Sequence, residues 1–168
     1  MILASFDTMA YHLFEMKFKG TTYFLTEEDF EDLPNYDNER YDLFGVHKIG
    51  TLGLNVGDTI QMTYDLGCCQ VFNIELLEIN DMLRGHGTAY PKILDGAGRG
   101  IVDDMPAFEL LEAIRKTDEN GHSEIYYSSS CSDNAPEWDY RNYRVDWDNT
   151  LLKGIIDRIR DGYENYEE

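Results

Sequence analysis

The sequence has few positively charged residues, and this scarcity limits the partners that the protein can bind. Fourteen Lys and Arg stand against 33 Asp and Glu, which gives a formal net charge of −19 at pH 7. Direct contact with nucleic acid needs clustered Lys or Arg, and the sequence contains no such cluster. We therefore expect no direct binding to nucleic acid or to anionic membranes, and attraction to basic proteins instead.

Cysteine and long apolar runs are also scarce. The chain has three cysteines, two of which, Cys68 and Cys69, are adjacent, and this spacing does not suit a disulfide framework. Reduced thiols are typical of cytoplasmic proteins, so we predict that location. A membrane span needs an apolar run of about 18 residues, and neither such a run nor a signal peptide is recognisable.

Apolar residues are nevertheless numerous enough to build a core. Hydrophobic residues make up 42% of the 168 positions and aromatic residues 13%, which argues against global disorder. We predict a single domain over residues 1–168. Within it, residues 1–8 form a short helix, the remnant of a longer one, and residues 163–168 form an acidic tail.

Residues 59–79 show the clearest pattern in the chain. Apolar and polar residues alternate in residues 60–66 and again in residues 72–76, as they do in strands that bury one face. The short segment 67–70 between them predicts a hairpin turn, with Gly67 taking a positive φ.

A second hairpin is predicted nearer the N-terminus. Residues 11–18 alternate in the same way, Lys19 and Gly20 are typical of a turn, and residues 21–25 are rich in β-branched and aromatic side chains. Residues 90–95 are predicted to add an edge strand, where Pro91 is tolerated.

Two helices are predicted in the C-terminal half, over residues 105–117 and 149–161. The first has Pro106 near its start, an apolar stripe of Ala107, Leu110, Leu111 and Ile114, and Asn120-Gly121 at its end. The second is capped by Asp148 or Asn149. The predicted fold class is therefore α+β, with a mostly antiparallel sheet of two hairpins plus an edge strand, covered by these two helices.

The acidic residues concentrate in residues 26–41, which we interpret as a surface loop with one helical turn. Two further carboxylates, Asp103 and Asp104, precede the first of the two helices. We predict that these groups form the partner-binding surface, which comprises Glu27, Glu28, Asp29, Glu31, Asp32, Asp37, Glu39, Asp103 and Asp104.

Motifs for catalysis, metals and cofactors are weak. The glycines of residues 85–100 are too widely spaced for a dinucleotide fingerprint, and the four histidines and three cysteines lack metal-ligand spacing. His122 near residues 128–131, Ser-Ser-Ser-Cys, is the one local cluster that resembles a nucleophile with its base. We predict no catalytic residue, no metal and no cofactor, and the chain is more typical of a binding protein than of an enzyme.

Several short motifs, taken in order, give the chain a family likeness. His12-Leu13 precedes an alternating strand, Tyr64-Asp65-Leu66-Gly67 lies at the central turn, and Tyr90-Pro91-Lys92 is followed by Leu94 and Gly96. This order resembles the plasmid pRiA4b ORF-3-like family of small acidic α+β proteins, often encoded on mobile elements, whose biochemical activity is not settled. The family's aromatic turn sequence is replaced here by one containing Cys68 and Cys69.

Three functions from different classes follow. The first is a non-catalytic acidic protein that binds a basic protein surface, in one version a nucleic-acid mimic that inhibits a nucleic-acid-binding enzyme of host defence. The second is a metal-dependent hydrolase that uses the carboxylate-rich region of Asp65, His86, Asp103 and Asp104. The third is a structural homo-oligomer, a homodimer formed through the first hairpin.

Overall fold

A computed structural model gives the fold of the chain. It describes residues 2–6, 8, 10–24, 40–43, 49–79, 91–123, 125 and 138–164. The chain forms two compact units. We call His12–Gly87 the sheet unit, and Met1–Tyr11 together with Thr88–Glu168 the helical unit.

The described residues of the sheet unit form five strands, and the two predicted hairpins are confirmed. The strands are β1 (Phe14–Phe18), β2 (Thr21–Phe24), β3 (Arg40–Leu43), β4 (Thr59–Tyr64) and β5 (Gln70–Glu75). Their order is β3-β2-β1-β4-β5. Every neighbouring pair is antiparallel except β2 and β3, which are parallel. The α+β class with a mostly antiparallel sheet is therefore confirmed.

One face of the adjacent strands β1, β4 and β5 buries apolar side chains in this unit. Met62 of β4 lies opposite Met16 of β1 on one side and Phe72 of β5 on the other, and Phe14 pairs with Tyr64. Met62 and Tyr64 are almost fully buried. Each such side chain contributes about 1.5–3 kcal/mol when removed from water, so the alternating pattern in the sequence fixes which face is buried.

The β2 strand buries residues on the opposite face. Thr22 and Phe24 are buried, yet Thr22 pairs with Lys17 of β1, whose side chain is exposed. Phe24 packs against Tyr41 of β3, with ring centroids 5.9 Å apart. The sheet therefore has buried side chains on both faces at its β2 end.

The sheet has an edge strand next to β2, but the prediction that residues 90–95 form an edge strand was wrong for the described residues 91–95. β3 forms it, whereas residues 91–95 contain no strand. Pro91 lacks an N–H donor. The N–H of Ile93 donates to Asn149 Oδ1 at 2.9 Å, and its C=O accepts from Asn149 Nδ2 at 2.8 Å. A side-chain amide therefore takes the place of a neighbouring strand.

The turn of the central hairpin differs from its prediction in one detail. The positive φ angles occur at Asp65 (54°) and Cys69 (55°) and not at Gly67. The N–H groups of Cys68 and Cys69 both donate to the carbonyl oxygen of Asp65, at 3.0 and 2.6 Å. The turn is thus closed around Asp65, a residue type that tolerates the left-handed region better than most.

The helical unit contains α1 (Ile2–Ser5), α2 (Ala107–Asn120) and α3 (Val145–Glu164). All three predicted helices are confirmed. α2 follows Pro106 and ends at Gly121, which has a φ of 77° and donates its N–H to the Thr117 carbonyl. This is the left-handed helix ending that glycine permits at least cost. No described helix is long and apolar enough to cross a membrane.

The buried face of α2 differs from the predicted stripe. Leu110 packs with Ile125 and Trp138 in a core cluster, but Leu111 is 66% exposed. Thr117, seven residues beyond Leu110, is buried instead. Its hydroxyl donates to the Ala113 carbonyl at 2.8 Å, so the polar group is satisfied within the helix.

α3 begins four residues earlier than the sequence predicted. Asn149 is therefore an interior helical residue and not a cap, and its side chain is the one that binds Ile93. Leu152 is almost fully buried, while its neighbour Leu151 is partly exposed. The single domain over residues 1–168 and the covering of the sheet by the helices stay predictions.

Candidate functional site

Most of the predicted partner-binding carboxylates lie outside the described residues. These are Glu27, Glu28, Asp29, Glu31, Asp32, Asp37 and Glu39. The other two, Asp103 and Asp104, form a turn before α2. Asp104 is exposed, has a φ of 63° and accepts a hydrogen bond from the Tyr11 hydroxyl.

Positively charged side chains on α2 are bound by carboxylates of the same helix. Arg115 binds Glu112 Oε1 at 2.6 Å and also binds Glu119. These contacts, with Glu112 the stronger, raise the pKa of Arg115 and lower that of Glu112. Both partners are exposed, so the pair adds little stability. The positive charge of Arg115 is nevertheless matched by carboxylates of the same chain.

The same arrangement recurs in the segment that leads into α3. Arg141 binds Asp139 through two nitrogens, with Nη2 to Oδ2 at 2.6 Å and Nε to Oδ1 at 2.8 Å. This bidentate pair lowers the pKa of Asp139. Arg144 binds Asp146 at 2.9 Å. Each Arg is thus matched to an acidic residue two positions away in the sequence.

The lysines of the first hairpin follow the same rule. Lys17 binds Glu15 at 2.9 Å, and Lys19 binds Asp58 at 2.9 Å. Lys19 also donates to the Gly53 carbonyl at 3.0 Å. The pKa of Asp58 is lowered by the Asn55 backbone N–H first and by Lys19 second.

The consequence is an excess of unmatched carboxylates in each of the two units. Five of the chain's 14 basic residues are occupied by these internal ion pairs. Several exposed carboxylates have no Lys or Arg partner within ion-pair distance among the residues the structure describes. They are Glu75, Glu78, Asp95, Glu109 and Asp118. An excess of unmatched carboxylates is the electrostatic property that attracts cations and basic proteins.

The helical unit also contains a cavity of about 490 Å³. Gly100 fits closely at its wall, because a Cβ there would lie 1.6 Å from the Phe6 carbonyl oxygen. A Cβ at Gly96 would lie 2.6 Å from the Tyr143 hydroxyl oxygen and 2.7 Å from its ring. The side chains that line the cavity have mixed charge, and they include Ser5, Phe6, Lys92, Asp95, Arg99 and Tyr143.

The Tyr143 side chain also lines this cavity. Burial raises its pKa, and the carboxylates of Asp148 and Asp95 act in the same direction. A tyrosine with a raised pKa keeps its proton and acts as a hydrogen-bond donor rather than as a base. Tyr143 is therefore suited to donate a hydrogen bond and not to act as a general base.

The sheet unit contains a His–Asp pair at the central turn. His12 Nε2 lies 3.6 Å from Asp65 Oδ2, and Asp65 is buried. Burial alone would raise the pKa of Asp65, but hydrogen bonds from Cys68 and the charge of His12 outweigh it, so this pKa is lowered. The His12 ring meets Tyr64 edge-on at 5.6 Å. The sequence indicated Asp65 as a candidate residue of the hydrolase, but it did not indicate that His12 lies next to it.

The remaining chemical candidates are His86, His122, residues 128–131, Cys68 and Cys69. His86 and the segment 128–131 lie outside them. His122 Nδ1 lies 3.2 Å from the Asn120 carbonyl oxygen, which is a local contact at the end of α2. Cys69 Sγ donates to the Leu66 carbonyl oxygen at 3.3 Å. The metal-dependent hydrolase thus stays a prediction that rests on sequence.

Comparisons with protein-family models, with curated proteins and with solved structures give no match to this chain. The resemblance to the plasmid pRiA4b ORF-3-like family therefore stays a prediction.

Proposed function

We propose that the protein is a non-catalytic interaction protein whose acidic surface binds a basic surface of another protein. The observation that supports this most directly is the pairing of Lys and Arg with carboxylates of the same chain. Because Arg115 and Arg141 are held internally, they do not offset the remaining carboxylates at an interface.

The net charge of −19 supports the same proposal. Fields of this size act over about 8 Å at physiological salt, and they accelerate the encounter with oppositely charged partners. Such a protein gains most of its specificity and association rate from charge complementarity, and its affinity falls as salt rises.

More specifically, we propose that the protein is a nucleic-acid mimic. The two α2 carboxylates without a Lys or Arg partner among the described residues, Glu109 and Asp118, take the place of phosphates in the nucleic-acid site of an enzyme. Glu112 and Glu119 share one arginine, and Glu109 in the first turn lies apart from that group. The resemblance to mobile-element proteins favours an enzyme of host defence as the target.

Competition for a DNA-binding domain tests the mimic. A helix-turn-helix domain is bound to labelled duplex DNA, and the protein is added at about 50 mM and at about 500 mM salt. We expect displacement of DNA at the lower salt and its loss at the higher salt. The same measurement with an acidic protein of unrelated fold serves as the control for non-specific charge. Failure to displace DNA from any of several basic domains at low salt would contradict the mimic.

A further inference from the structure

The outer strand β5 offers a second kind of contact to the same basic partner. β4 is the one neighbour of β5 among the strands that the structure describes. A strand at the edge of a sheet presents N–H and C=O groups that another chain can pair with.

The hydrogen bonds next to β5 fix its alternation. Leu76 donates its N–H to Asp58 at 3.0 Å and accepts from Gly57 at 2.8 Å, so Leu76 faces β4. In an antiparallel ladder, alternate residues bond to the partner strand. Gln70, Phe72 and Ile74 therefore face β4, whereas Val71, Asn73 and Glu75 direct their backbone groups away from it.

Within residues 70–79, the outer edge lacks the lysine and proline that often prevent pairing. Edge strands are commonly protected by lysine, proline, a bulge or short length. β5 is six residues long, and residues 70–79 contain no Lys, Arg or Pro. Apolar side chains are exposed along the same segment, with Val71 52%, Leu77 74% and Ile79 50% exposed.

The charge of the segment 70–79 indicates which kind of partner would bind at this edge. Glu75 and Glu78 are exposed and are the two charged residues of the segment 70–79. A second copy of this chain is disfavoured, because antiparallel pairing centred on Asn73 would place Val71 against Glu75 and would bring two strongly acidic molecules together. A basic extended segment meets both requirements, because it supplies backbone pairing and positive side chains.

We propose that β5 binds an extended, basic segment of a partner protein by strand addition, with backbone bonds to Val71, Asn73 and Glu75. This rests on the proposed function, because it assigns a binding mode to the same class of partner. Main-chain bonds then supply affinity, and Glu75 and Glu78 supply the preference for Lys or Arg.

The variant Asn73→Pro tests strand addition. It removes an outward N–H and leaves the inward bonds of β5 to β4 in place. Asn73→Ala is the matched control, because both variants lose the contact from Gln61 Nε2 to Asn73 Oδ1 at 3.4 Å. Circular dichroism and urea unfolding establish that each variant is folded.

The probe is a labelled, end-blocked peptide of about ten residues that alternates valine and arginine. Its control has the same sequence with alternate backbone nitrogens methylated, which prevents pairing along one edge. We expect Asn73→Pro to weaken binding at least about tenfold relative to Asn73→Ala, and methylation to weaken binding to the wild-type chain similarly. Glu75→Lys is expected to weaken binding more than Glu109→Lys, which makes the same change of charge on α2.

The outcomes separate the two proposals. Equal binding of the peptide by both Asn73 variants, with binding that still falls as salt rises, would overturn strand addition and leave the acidic-surface proposal standing. Binding that does not respond to salt, or an absence of binding, would contradict both. A dimer in sedimentation that Asn73→Pro abolishes would assign the edge to a second copy and overturn the basic partner there.

Discussion

Asn149 of α3 binds both backbone groups of Ile93, donating to its carbonyl at 2.8 Å and accepting from its N–H at 2.9 Å. The same amide also donates to the Val145 carbonyl at 2.9 Å. One side chain thus fixes the segment 91–95 to a helix. The amide mimics a peptide group, which explains how the backbone groups of Ile93 are satisfied outside a sheet.

Substitution of Asn149 is the first test of that relationship. Asn149→Leu leaves both backbone groups of Ile93 without their partner, and each unsatisfied polar group costs about 1–3 kcal/mol when it stays away from water. We expect a loss of at least about 1 kcal/mol in urea unfolding. Thr150→Val is the control, because Thr150 is exposed and bonds only to the Asp146 carbonyl of its own helix. Equal stability of the two variants would contradict the role assigned to Asn149.

Gly100 is required for a close approach between two backbone segments. A Cβ at Gly100 would lie 1.6 Å from the Phe6 carbonyl oxygen, which itself accepts the Ile101 N–H at 2.9 Å. Gly100→Ala must move backbone, and we expect it to destabilise the protein by more than about 2 kcal/mol. Gly154→Ala is the opposite case, since a Cβ there meets open space within α3, and we expect it to stabilise by about 0.5–1 kcal/mol. Thermal unfolding of both variants checks the contrast in sign.

Asp65 gives the protein an acid-sensitive contribution to stability. Its pKa is lowered in the fold, so its charged form is stabilised above the unfolded pKa of about 3.9, and that stability is lost as pH falls through the folded pKa. Asp65→Asn keeps a side chain that tolerates positive φ and removes the charge. We expect the stability difference from wild type to be constant above about pH 5 and to shrink below about pH 4. A difference that does not change between these pH values would contradict the account.

Release of a paired carboxylate is expected to strengthen binding to a basic partner. Arg115→Gln removes the cation that holds Glu112 and Glu119, and it makes the net charge more negative by one. We expect tighter binding to a basic DNA-binding domain at low salt, and no such gain at high salt, where the added attraction is screened. Glu109→Gln is the control of opposite sign, and it is expected to weaken the same complex. Weaker binding by folded Arg115→Gln would show that the guanidinium itself contacts the partner.

The sequence predicted those parts of the fold that depend on local pattern. Alternation placed Met62 and Phe72 on one face, and Gly121 marked the end of α2. β3 was missed because its alternation, Arg-Tyr-Asp-Leu, is only four residues long and begins within residues 26–41, which the acidic composition had led us to interpret as a loop. Its parallel pairing with β2 is a long-range contact that a local pattern does not report.

The candidate site was less readable for similar reasons. The spacing of Glu112, Arg115 and Glu119 at three and four residues is visible in the sequence, because such residues share a helix face. The approach of His12 to Asp65 depends on the register of β1 against β4, where Phe14 pairs with Tyr64. Asn149 was predicted to be a cap because the sequence did not show that α3 starts at Val145, which places Asn149 inside the helix.

The dependence of affinity on salt tests the central claim most directly. Titration calorimetry would measure the dissociation constant of the wild-type chain with one basic DNA-binding domain over a series from about 50 mM to about 500 mM salt. The account predicts an affinity that falls at least about tenfold across the series, because the complex depends on unmatched carboxylates. An affinity that is constant over this range would contradict it.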